Sequence, residues 1–113
     1  IIPEAADLAS GLSVRISWMA TTATTGNVRW RVALERGNTD LDADSFDTAA
    51  EGNGTANGTS GIPSTTSISL TTLDSVAVGE PYRIRISRVG SDATNDTMTG
   101  DAELIAVEVR SAA

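Results

Sequence analysis

The sequence predicts an all-β fold, an antiparallel β-sandwich with jelly-roll wiring. Three observations point to it. Apolar and polar residues alternate with a period of two in Leu12 to Trp18 (LSVRISW), Asn27 to Arg36 (NVRWRVALER) and Tyr82 to Arg88 (YRIRISR). Turn-forming residues recur at short intervals between such stretches, and no segment carries a helical repeat longer than one turn. Thr (15) and Ser (12) together approach a quarter of the 113 residues, which favours strands and turns over helices. A chain of this length forms one domain, residues 1–113, and buries roughly two-thirds of the surface its unfolded form exposes.

Ile1 to Gly11 reads as an extended lead-in with one loose turn, because Pro3 keeps Ile2 away from helical angles. In the first strand, Leu12 to Met19, residues Leu12, Val14, Ile16 and Trp18 point inward. Gly26-Asn27 is expected to reverse the chain so that the second strand folds back on the first, which sets Trp18 and Trp30 in one core. Gly37-Asn38 ends that strand, and Asp40 to Asp47 (DLDADSFD) follows with four acids in eight residues. Residues 49–63 hold four of the ten glycines and few apolar anchors, so a long flexible loop is expected, with room for one short edge strand. Thr65 to Thr72 alternates, with Ile68 and Leu70 inward, and Leu73 to Gly79 suits a single helical turn capped by Thr72. Glu80 to Val89 is the third Arg-patterned strand, Gly90 to Gly100 a polar loop, and Asp101 to Arg110 a last strand with Leu104, Ile105, Val107 and Val109 as its apolar content.

The chain has no Cys, His, Lys or Gln. That removes disulfides, zinc-thiolate sites, Ser-His and Cys-His pairs, Schiff-base lysines and the P-loop lysine. Fifteen acids leave a carboxylate hydrolase as the least favoured of three readings, but no spacing singles out a catalytic pair, so no enzyme activity and no cofactor are expected. A net charge of −7 argues against nucleic acid and anionic membranes as partners, since both need basic patches. No stretch approaches the length of a transmembrane helix. The chain starts at Ile1 without Met, as expected of a processed product or a piece of a longer one.

Two constellations merit weighing. Asp40, Asp42 and Asp44 fall at positions 1, 3 and 5 of a calcium-loop template, with Phe46 at 7 and Glu51 at 12. Ser45 stands where that template needs Gly, and the flanks are not helical, so the favoured reading is a set of turn-capping acids with Leu41 and Phe46 plugging the end of the sandwich. The other constellation is an arginine row. Arg15, Arg29, Arg31, Arg83, Arg85 and Arg88, six of the eight arginines, fall in the three patterned strands. Such a row suits carboxylate or phosphate ligands, a solvated face paired with acids such as Glu35, Glu103 and Glu108, or a subunit interface, where Arg is enriched over Lys. Carbohydrate platforms need exposed aromatics, whereas alternation turns Trp18, Trp30 and Tyr82 inward. Sequons occur at Asn53, Asn57 and Asn95.

From about Gly11 to Arg110 the chain resembles a C-terminal β-sandwich domain of tailed-bacteriophage structural proteins, either fibre or head-decoration chains. The residues carrying this are GLSVRISWMATTATTGNVRWRVALER, DLDADSF, the GE-x-[YF]-R-[IL]-R segment at Gly79 to Arg85, and D-T-M-x-G-D-A-E-L at Asp96 to Leu104. The resemblance implies a module on the virion, an extracellular particle, that self-associates, with a trimer favoured, and contacts other virion proteins. It implies no enzyme activity and supplies no functional residues. The chain departs from that pattern in one respect: such relatives carry an extra apolar segment upstream, where only Ile1 to Ser10 stands here, so the resemblance does not supply the first strand. The alternative is a binding module whose loops, Glu51 to Gly61 and Ser91 to Gly100, recognise a glycan or protein on a host surface.

Overall fold

Two antiparallel sheets of three strands each face one another across an apolar core in the computed structural model, which describes residues 1–38, 40–41 and 45–112. The strands are β1 (Leu12–Ala20), β2 (Asn27–Arg36), β3 (Ala50–Thr55), β4 (Ser64–Leu70), β5 (Tyr82–Arg88) and β6 (Ala102–Ser111). One sheet has the order β4-β1-β6 and the other β3-β2-β5. The architecture is therefore the expected β-sandwich, with six strands among the described residues where a full jelly roll has eight.

Period-two patterning places the core. Leu12, Val14, Ile16 and Trp18 of β1 meet Val28, Trp30, Val32 and Leu34 of β2, with Ile68 and Leu70 of β4 beside them, and all are buried. The two indoles lie 6.1 Å apart between ring centroids. Loop residues close the ends of the core, since Ile2, Val76 and Met98 are also buried.

Trp18 and Trp30 share this core by a different route from the expected hairpin. β1 and β2 do not pair: the six residues Thr21 to Gly26 carry the chain from one sheet to the other. Asn27 is instead tied to the far loop, its N–H donating to Thr97 Oγ1 and its carbonyl accepting from the N–H groups of Thr97 and Met98. The indoles thus face each other across the core from opposite sheets. The helical turn expected over Leu73 to Gly79 is also absent. Asp74 and Ser75 both have positive φ, 51° and 58°, and Val76 N–H donates to Leu73 carbonyl, which is a tight turn of the I′ kind. Asp74 is held there from two sides: its N–H donates to Asp47 Oδ2, and its own Oδ2 accepts from Arg36 N–H. Thr72 caps nothing; its hydroxyl donates to the Thr48 carbonyl.

The glycine-rich segment contains a full strand. β3 pairs along six residues with β2, from Asn27↔Thr55 to Val32↔Ala50. Gly52 and Gly54 sit two apart on its inner side because β3 crosses close over β4. A Cβ at Gly54 would lie 2.0 Å from Thr66 Oγ1 and 3.1 Å from the Trp18 ring, and one at Gly52 would lie 2.9 Å from Ile68. On this side the two sheets close on each other. On the opposite side β5 and β6 have no such mutual packing.

That opening leaves β6 uncovered. Val109, Val107 and Leu104 lie opposite Val14, Ile16 and Trp18 of β1, so they belong to the inner face, and Ile105 is the extra residue of a β-bulge. Yet Leu104, Ile105 and Val107 remain 50%, 49% and 37% exposed. The last strand therefore adds less to the core than its composition suggests.

The close approach at Gly54 sets a stability test. Gly54→Ala should destabilise the domain by about 1–3 kcal/mol through overpacking against Trp18 and Thr66, read as a lower urea midpoint. Gly90→Ala, where a Cβ meets nothing within 4 Å, should stay within about 0.5 kcal/mol of the parent. Equal effects at the two positions would contradict the close-approach account.

Candidate interaction surface

The six candidate arginines do not share one face. Arg15 lies exposed on the outer side of β1, in register with Ser67 and Glu108. Arg29 and Arg31 of β2 and Arg83 and Arg85 of β5 occupy the outer side of the other sheet, while Arg88 falls on the inward parity, opposite Trp30. Alternation places residues on a face only within one sheet, and β1 belongs to the other sheet.

The four arginines of the outer face are engaged within the chain. Arg31 donates through Nε and Nη2 to Glu51 Oε1 at 3.1 and 2.9 Å. Arg29 donates to Asn53 Oδ1 at 2.9 Å and stands 3.6 Å from Glu51. Glu51, position 12 of the calcium template, is thereby committed to β2, and Asp42 and Asp44 lie outside the described residues. Among the described residues no group of three or more acidic side chains could hold a metal ion.

Phe46 does not plug the end of the sandwich. It lies over the outer face, with the Arg85 and Arg83 guanidinium carbons 4.7 and 5.3 Å from its ring centroid. Beside it Glu35 is fully buried, although its position in β2 is on the outer side. Glu35 Oε1 accepts from Arg83 Nε at 2.6 Å and Nη2 at 2.5 Å, while its Oε2 has no hydrogen-bond partner among the described residues. Arg83 also donates to the Leu41 carbonyl. Phe46, Arg83 and Arg85 therefore form a cover over a buried carboxylate, and this part of the arginine face is structural in its local role.

Arg88 anchors the loop that leads from β5 to β6. It donates to both carboxylate oxygens of Asp96, at 2.9 and 2.7 Å, and to the carbonyls of Gly100 and Met98. Asp96 also accepts from Arg29 N–H at 3.0 Å. The Arg88 hydrogen bonds hold the Asp96 carboxyl below its usual value, helped by the Arg29 N–H, and the same pairing raises Arg88. Asp92 is lowered too, first by the Asn95 side chain and then by backbone N–H groups of the turn it caps. Arg36, outside the predicted row, plays a similar part for Glu80, whose carboxyl it lowers through its Nε hydrogen bonds.

The sequon side chains differ in their surroundings. Asn53 and Asn95 are joined by an amide hydrogen bond at 3.2 Å, whereas Asn57 lies exposed in a run that continues to Pro63.

The β6 side presents a second exposed surface, an apolar one. Three of the six large apolar side chains left exposed among the described residues, Leu104, Ile105 and Val107, fall on this strand. A cleft of about 360 Å³ continues the surface at its far end, between Ile1, Ile2, Tyr82 and Val109. Sequence reasoning passed over this surface. The signal was the broken alternation of Leu104, Ile105 and Val107, which marks a bulge and a strand with apolar residues on both sides. Comparison with family models, curated proteins and solved structures gives no match.

Two outcomes check these contacts. Arg83→Met should destabilise the domain by about 2 kcal/mol in urea titration, a value reduced from that of a fully buried pair because Arg83 is 48% exposed, and adding Glu35→Gln should recover most of the loss. A neutral Arg83→Met would show that the pair contributes nothing. Asp96 has a folded value below its ordinary 3.8, so the stability it confers is present above that pH and is lost as pH falls through the folded value. Asp96→Asn should therefore lower Tm at neutral pH and flatten the acid decline below about pH 4; an unchanged acid limb would contradict this assignment.

Proposed function

We propose that this domain is a structural module of a virus particle, a capsid-decoration or fibre domain, that works by self-association and surface display. The observation that supports it best is β6, an edge strand whose inner face is apolar and uncovered. Soluble β-proteins ordinarily blunt such edges with charge, proline or cover, and contiguous exposed apolar surface marks interaction sites. The bulge at Ile105 blunts this edge only in part.

The chemistry elsewhere is consistent with a passive role. Arg29, Arg31 and Arg83 of the arginine face hold acidic partners within the chain, and the loop between β5 and β6 is fixed by Arg88 and Asp96. An acidic domain without Lys also avoids nonspecific adhesion to nucleic acid.

Light scattering behind size-exclusion chromatography should show one defined species larger than the monomer, the trimer being the size favoured by the resemblance. An antibody against the domain should decorate intact particles at regular positions. A stable monomer at tens of micromolar would overturn self-association, and particles that stay unlabelled would overturn the virion setting.

A further inference from the structure

We infer that the free edge of β6 is a homodimer contact, in which two copies pair their β6 strands antiparallel about a two-fold axis at Val107. The inference rests on the self-association reading above and names the surface that carries it.

The first support is position. β6 is the outer strand of the β4-β1-β6 sheet, so one row of its backbone N–H and C=O groups has no strand beside it. All six residues from Glu103 to Glu108 are exposed.

The second support is that the strand is complementary to itself. Pairing with β1 fixes which side each residue takes: Ala102, Leu104, Val107, Val109 and Ser111 face inward, and Glu103, Ala106, Glu108 and Arg110 face outward. A two-fold axis perpendicular to the sheet keeps each face on its own side, so only same-face residues can stand opposite each other. Centring the pair on Val107 and keeping the one-residue offset at Ile105 meets this condition along the strand. Val107 then stands opposite Val107, Ala106 opposite Glu108, Leu104 opposite Val109, and Glu103 opposite Arg110. Every inward pair is apolar through this region. The charged outward pair has opposite signs and occurs twice, once on each side of the axis.

The third support is what the pairing covers. Leu104 and Val107, inward by register yet exposed, come to lie against Val109 and Val107 of a second copy, and the three-stranded β4-β1-β6 sheets of the two copies become one continuous sheet. An isologous strand pair closes at two copies, so the contact departs from the trimer favoured by the resemblance.

The full chain tests this directly. It has no Cys, so Val107→Cys introduces its single thiol, and residues opposite each other in an antiparallel pair lie within disulfide reach. Oxidation should give a covalent dimer in high yield, whereas Val78→Cys, exposed outside β6, should not. Independently of that variant's folding, Glu103→Arg and Arg110→Glu should each raise the dimer dissociation constant by about tenfold, and the double variant, which restores opposite charges across the axis, should return to the parent value. A monomeric parent overturns both this inference and the self-association reading. A defined oligomer that ignores the charge exchanges and gives no link at position 107 overturns this inference alone.

Discussion

Trp18 fixes the distance between the two sheets, and most of the fold is arranged around that distance. Its ring is fully buried, its Nε1 donates to Thr66 Oγ1 at 3.0 Å, and the backbone of Gly54 lies against its edge. A buried indole needs both shape and a hydrogen-bond acceptor. Thr66 on the neighbouring strand supplies the acceptor, and the missing side chain at Gly54 supplies the space. Because β3 approaches β4 so closely here, the sandwich is shut along one side. The six strands do not shut the other side, and that asymmetry creates the exposed face of β6.

Much of the architecture was legible because burial imposes a period of two on residues that must alternate. Leu12 to Trp18 and Val28 to Leu34 read correctly as inward rows. What alternation cannot convey is which strand lies beside which. The Gly26-Asn27 reversal looked like a hairpin, but Asn27 is bound to Thr97 and Met98, contacts that join residues about seventy positions apart. Glycines misled in the opposite direction. Over residues 49–63 they read as a flexible loop with room for one short edge strand; that strand is Ala50–Thr55, and Gly52 and Gly54 answer to a neighbouring strand that no local pattern reveals. Leu73 to Gly79 failed for a third reason: Asp74 takes a left-handed conformation to serve Arg36 and Asp47.

The candidate surface was legible in composition and not in place. Counting arginines found the basic component of an acidic chain, yet the row dissolves into separate tasks once the strands are assigned to sheets. Arg83 neutralises a buried carboxylate, Arg83 and Arg85 cover Phe46, and Arg88 holds a loop through Asp96. Arg83 and Arg88 use the planar, multidentate donor set that an ammonium group would lack, and Arg85 lays its guanidinium against the Phe46 ring. Local demands thus account for Arg83, Arg85 and Arg88, and the β6 side adds an exposed surface that is apolar.

The strand order also governs when this protein can exist during its own synthesis. β1 is flanked by β4 and β6, so the sheet that begins with the first strand is completed by the last. As the chain emerges, β1 must wait with one edge open until β2 to β5 and then β6 have been made. Such nonlocal wiring places the domain among slow-folding topologies. During that wait the backbone edge of β1 that later takes β6 is accessible to any other nascent copy nearby.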